Sequence, residues 1–132
     1  MNRREPRGDV RAWAAKAEED FQTAHTMARK RKHPVPSVVG FHCQQCIEKY
    51  LKALLVQRRH SFPKTHELID LLDRCLPFHP FLEMFRGDYD RISAFSVQFR
   101  YPGEDATAEE VKAALSVVRS LRKQARALLG VK

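Results

Sequence analysis

No apolar run in this 132-residue chain approaches the roughly 20 residues that a membrane-spanning helix needs. The N-terminal stretch Met-Asn-Arg-Arg-Glu-Pro-Arg-Gly is basic and lacks the apolar centre of a secretory signal. Cysteine is scarce: there are three, an odd number, in a chain long enough to fold without staples. Reduced thiols are therefore expected, and with them a cytoplasmic location. Sustained apolar–polar alternation is missing, and so is any internal repeat, which argues against sheet and solenoid classes.

Metal chemistry is poorly provided for. Cys43-x-x-Cys46 beside His42 looks like a fragment of a zinc site, but Cys75 is the only other thiol. Cys43 and Cys46 also fall on the apolar side of a helical segment, where a free cysteine packs as a small hydrophobe. Asp88-x-Asp90 has a spacing that nucleotidyltransferases use to hold a divalent ion. On a helix those carboxylates diverge by about 200°, and the rest of that enzyme pattern is absent. No metal and no other cofactor is predicted.

Positive charge, by contrast, is plentiful. The formal net charge is +8 and the isoelectric point about 9.8, which suits nucleotides, RNA or an acidic protein face. Solvated helix faces would give the same balance. Charged residues are 30% and hydrophobic ones 43% of the chain, as in a single globular domain.

Helical periodicity accounts for nearly every segment. From Asp9, an N-cap candidate, Val10, Trp13, Ala14, Ala17, Phe21, Ala24 and Ala28 recur on one face. This first helix is expected to end in the basic run Arg29 to Lys32, before Pro34 and Pro36. Ser37 should cap a second helix reaching about Arg59, and Thr65 a short third one reaching about Arg74. A fourth helix would place Phe81, Phe85, Tyr89, Ile92 and Phe95 together. Thr107-Ala108-Glu109-Glu110 reads as a capping box opening a fifth, with Val111, Ala114, Leu115, Val118, Leu121, Ala125 and Leu128 buried. The expected architecture is all-α, with the long first, second and fifth helices antiparallel.

The second helix carries the chain's most organised polar pattern. His42, Gln45, Glu48, Lys49 and Lys52 fall within an arc of about 120°, opposite Cys43, Cys46, Ile47, Tyr50, Leu51, Ala53 and Leu54. Gln44 turns toward the apolar side, so burial would oblige it to find partners. As a binding surface, the amides of Gln44 and Gln45 and the carboxylate of Glu48 would contact a base or ribose, and Lys49 and Lys52 would contact phosphates. As a structural feature, the same groups would bond between helices or across a dimer. In that case Glu48 and Lys52 form an i,i+4 pair worth about 0.3–0.5 kcal/mol. His66 follows a helix start and is placed to face this groove. Arg100-Tyr101 combines a fork of donors with a flat ring before a turn.

Three landmarks in order resemble the HEPN family, the higher eukaryotes and prokaryotes nucleotide-binding domain. They are Phe41-His42-Cys43-Gln44-Gln45-Cys46-Ile47-Glu48-Lys49, followed by Lys52-Ala53-Leu54-Leu55; Phe62-Pro63-Lys64-Thr65-His66-Glu67-Leu68; and Arg100-Tyr101-Pro102-Gly103. The similarity spans about residues 9 to 129 of a single domain, 1–132. It implies a five-helix up-and-down bundle, often a homodimer. It also implies roles from nucleotide binding, through partnership with minimal nucleotidyltransferases in toxin–antitoxin pairs, to RNA cleavage.

RNA-cleaving members use an Arg followed four to six residues later by His, acting without metal. His moves a proton near neutral pH while Arg neutralises phosphate. Arg74-Cys75-Leu76-Pro77-Phe78-His79 matches literally, although Pro77 interrupts the helix. After Arg100, the window at Asp105, Ala106 and Thr107 contains no His. The expected function is therefore a non-catalytic nucleotide-binding accessory subunit beside a separately encoded nucleotidyltransferase, with ATP a possible ligand. The alternatives are a metal-independent ribonuclease using Arg74 and His79, and a purely structural dimerisation module.

Overall fold

The computed structural model describes residues 8–96 and 102–132. Its helices are α1 (Gly8–Ala28), α2 (Pro36–Gln57), α3 (Leu68–Cys75), α4 (Arg86–Ser93) and α5 (Ala108–Leu129). Short 3-10 turns at Pro80–Phe85 and Ala94–Ser96 flank α4. No strand occurs among the described residues, so the all-α expectation holds.

Paired side chains along α1 and α2 run in opposite order. Trp13 lies at Lys52, Glu18 at Tyr50, and Asp20 at Lys49 and His42. These helices are antiparallel, as expected of a short connection. From the C-terminal half of α2, α3 and α4 carry the chain back along it. The Cys75 thiol donates to the Leu51 carbonyl at 3.6 Å, whereas Phe95 packs on Gly40. Consequently α5 starts near the N-terminal end of α2 and runs parallel to it, with Arg126 at Tyr50 and Gln57 at the Leu128 carbonyl. Mutual antiparallel packing of the three long helices is thus corrected: it holds for α1 against α2 and for α1 against α5.

The core centres on α2, where Cys43, Ile47, Tyr50, Leu51, Leu54 and Leu55 are buried. Ala14, Ala17 and Ala24 let α1 approach closely, and Val118, Leu121 and Ala125 close the α5 side. Gly40 has a packing reason. An added Cβ would stand 2.8 Å from Cγ of the Phe95 ring, closer than any carbon contact tolerates.

Several helix boundaries differ from expectation, each for a local reason. α1 begins at Gly8 with Asp9 already in its first turn, and stops at Ala28, leaving Arg29 to Lys32 beyond it. Pro36 starts α2 after Val35, with no side-chain cap, because its fixed φ already suits the first turn. Ser37 therefore lies inside α2, where its hydroxyl donates to the Asp105 carboxylate. Arg58 and Arg59 lie past the end of α2; the latter has φ 56°. Thr65 does not cap α3. Its hydroxyl accepts from the Glu67 amide at 3.1 Å, a local turn that hands the helix start to Leu68.

The expected fourth helix is three short pieces. In its first, a 3-10 turn advances about 120° per residue, so Phe81 diverges from Phe85 and is 40% exposed. Phe85, Tyr89, Ile92 and Phe95 remain buried. The capping box on α5 is present. Thr107 Oγ1 accepts from the Glu110 amide at 3.0 Å, and Glu110 accepts from the Thr107 amide at 2.8 Å. Gly130, at φ 72°, closes the far end, and Leu128 is exposed rather than buried.

Candidate functional site

The polar stripe of α2 divides into two ionic centres. Glu48 is the heart of the first, its carboxylate only 3% exposed. Lys52, one turn on, donates to it at 3.0 Å and is itself 6% exposed. Around that ammonium stand the rings of Trp13 and Phe62, with centroids at 5.3 and 5.8 Å. The charge thus meets one carboxylate and two π faces, not water. An exposed-pair energy does not apply to such a group.

His66 completes this centre from the loop before α3. Its Nδ1 lies 3.1 Å from both Glu48 oxygens. Buried Gln44 holds the loop as well, donating to the His66 carbonyl at 3.1 Å and accepting from Gln45 at 2.8 Å. The partners that burial demanded of Gln44 are thereby supplied. With Nδ1 turned to the carboxylate and the side chain 73% exposed, Nε2 is left on the side away from Glu48.

The second centre joins α1 to α2. Asp20, buried on α1, accepts from Lys49 at 2.6 Å and contacts His42 Nδ1 at 2.8 Å. Both ammonium groups proposed to meet phosphates, Lys49 and Lys52, meet carboxylates of the protein itself. The structural alternative, bonding between helices, describes Lys49; Gln44, Glu48 and Lys52 bond within α2 and to the His66 loop.

Glu18 anchors a third cluster between α1 and α5. Arg122 grips its carboxylate with two bonds of 2.8 Å, and Tyr50 donates to it at 3.2 Å. Arg126 lies 3.0 Å from the Tyr50 oxygen. The Arg122 hydrogen bond, chiefly, holds the Glu18 carboxyl down at about 2, against burial, the next largest effect, which raises it. A carboxylate whose pKa falls on folding stabilises the fold above its unfolded value, ordinarily about 4.5. That contribution disappears as pH falls from there toward about 2. Urea titrations of the wild type and Glu18→Gln should therefore differ most near neutrality and converge in acid. A difference unchanged across that window would contradict the linkage.

The remaining candidates are dispersed. Arg74 is held at 3.3 Å by Asp70, one turn back along α3. His79 is 6% exposed, its Nε2 buried without a hydrogen-bond partner among the described residues. Burial, and then Arg58, push its imidazole below the ordinary range. Among the described residues no hydrogen bond joins the Arg74 guanidinium to this imidazole. Arg100 and Tyr101 lie outside the described residues. Among the described residues no group of three or more metal-binding side chains exists. Cys43, Cys46 and Cys75 are buried free thiols, as expected.

Residues 10–128 match the HEPN domain. The chain belongs to the HEPN family. Comparisons with curated proteins and with solved structures returned no match. HEPN domains are linked to nucleotide binding or to ribonuclease activity. No helix of the described residues is long and apolar enough to cross a membrane.

Asp20, Trp13 and Phe62 were not singled out as partners of the stripe. Asp20 did leave a signal, since it interrupts the apolar face of this HEPN chain three residues after Ala17. An acid at such a position calls for a cation from the facing helix. Trp13 gave none, because an aromatic residue on a helix face reads as core, and Phe62 lies in the connector between α2 and α3.

Proposed function

We propose that this HEPN chain is a non-catalytic, nucleotide-binding accessory subunit. It would act as a homodimer beside a separately encoded nucleotidyltransferase, in a toxin–antitoxin-like pair. One observation carries the binding half. Acids are consumed by specific partners, as with Glu18, Asp20, Glu48, Asp70 and Asp88, whereas many cations have none. Among the described residues Arg29, Lys30, Arg31, Lys32, Lys112 and Arg119 form no ion pair, and all are exposed. Uncompensated positive charge of this kind draws phosphate. Family membership supports the partner half.

Titrating the full chain with ATP in a calorimeter should give a saturable heat that weakens as salt rises. No heat at millimolar ATP would sink the binding half. Affinity purification of the tagged chain from its native cells should recover a nucleotidyltransferase, and repeated recovery of the chain alone would remove that partner. Light scattering at increasing concentration reports the dimer.

A further inference from the structure

We infer that a cleft where α1, α2 and α5 meet binds a nucleoside di- or triphosphate, with the polyphosphate on its cationic wall. This rests on the nucleotide-binding reading above and gives it a location. The cleft, about 480 Å³, lies between the end of α1, the uncapped first turn of α2 and the first half of α5. That size is typical of small-molecule sites.

Its wall is of one sign. Arg29, Lys30, Lys112 and Arg119 line it, no Asp or Glu does, and none of the four has an acidic partner among the described residues. The nearby acids of α5 are engaged elsewhere. Glu110 accepts from the Thr107 amide, and both Glu109 and Glu110 border a different pocket, against α4. Asp105, the acid nearest the first turn of α2, accepts from Ser37 and from the Ala106 amide and does not line the cleft. Four cations held together without a counter-charge repel one another, and a polyanion relieves that repulsion. Lys49 and Lys52 offer no such site, because their charges are already met.

The rest of the cleft suits a nucleoside. Val39, Val111 and Leu115 give it an apolar floor. His25 is fixed by stacking on Phe21, with centroids 5.8 Å apart and planes 14° from parallel. Its Nδ1 is buried yet has no hydrogen-bond partner among the described residues. A base or ribose on the floor supplies the missing partner, while bare phosphate does not reach the apolar contacts.

Calorimetry with ATP, tripolyphosphate and adenosine on the full chain tests the assignment. ATP should bind most tightly and adenosine least. Arg119→Ala and Lys112→Ala should each weaken ATP roughly tenfold. Lys64→Ala, beyond the C-terminus of α2, should change it by less than about twofold. All three side chains are exposed, and unchanged circular dichroism would confirm that the variants fold. ATP binding unaffected by the Arg119→Ala and Lys112→Ala pair overturns the cleft and leaves the nucleotide reading standing. Absence of any ATP heat on the wild type overturns both. A short single-stranded RNA that binds more tightly than ATP, and weakens with the same variants, overturns the assignment to a small nucleotide.

Discussion

Replacing Glu48 by alanine should lower the stability of the fold by about 3–5 kcal/mol. Among the described residues its carboxylate is the only acidic partner of Lys52, whose ammonium is almost completely enclosed. Removing the acid leaves that charge under Trp13 and Phe62 with no neutralising group. The His66 ring loses its anchor as well, and the Gln44 amide loses a neighbour at 3.5 Å. The two π faces recover only part of this, since cation–π contacts contribute about 0.5–2 kcal/mol each. Urea denaturation reads the effect as a lower midpoint at unchanged slope. The double variant Glu48→Leu, Lys52→Met should regain most of the loss, because it removes both charges and keeps the volume. A loss below about 1 kcal/mol for Glu48→Ala would mean that water screens the pair as on an open surface.

Leu51→Ala is expected to cost about 2–5 kcal/mol, the range for deleting a leucine side chain from a packed core. Leu51 is fully enclosed on α2, which meets α1, α3 and α5. Its backbone carbonyl also receives the Cys75 thiol, so neighbours on α3 are held and cannot easily close the hole. Leu128→Ala is the informative comparison. That leucine lies on the apolar stripe of α5 by sequence but is 38% exposed in the last turn. Its substitution should move stability by no more than about 0.5 kcal/mol. Equal effects at the two positions would contradict this description of the core.

Much of the fold was legible because helical periodicity and capping are local. Thr107 and Glu110 need only their own backbone, and the box formed where the spacing placed it. The stripe on α2 and the burial of Gln44 followed from 100° steps alone. Direction of packing was less legible. Nothing within α5 records that α3 and α4 return the chain to the N-terminal end of α2. Phe81 was misplaced because Pro80 starts a 3-10 turn, and its tighter winding changes which residues share a face.

For the site, sequence located the cluster but not its occupants. Glu48, Lys52 and Gln44 were found together, and His66 was found facing them. The partners on α1, Asp20 for Lys49 and Trp13 for Lys52, come from a helix some thirty to forty residues earlier, a relation fixed only by tertiary register. The cleft was harder still. Arg29 and Lys30 read as the solvated end of a helix, and Lys112 and Arg119 as the outer face of another. Only packing of α1 against α5 places all four around one space.

The enclosure of the three thiols makes them a built-in clock for the breathing of α2. Burial holds Cys43 and Cys75 protonated up to about 12, and it raises Cys46 well above the ordinary thiol range too. Thiolate is the reactive form, so an alkylating reagent meets inert sulfur while the helices stay closed. Modification can proceed only during openings that lift α1 or α3 off α2. The rate at which label accumulates therefore counts those openings, cysteine by cysteine, without any probe being added to the chain.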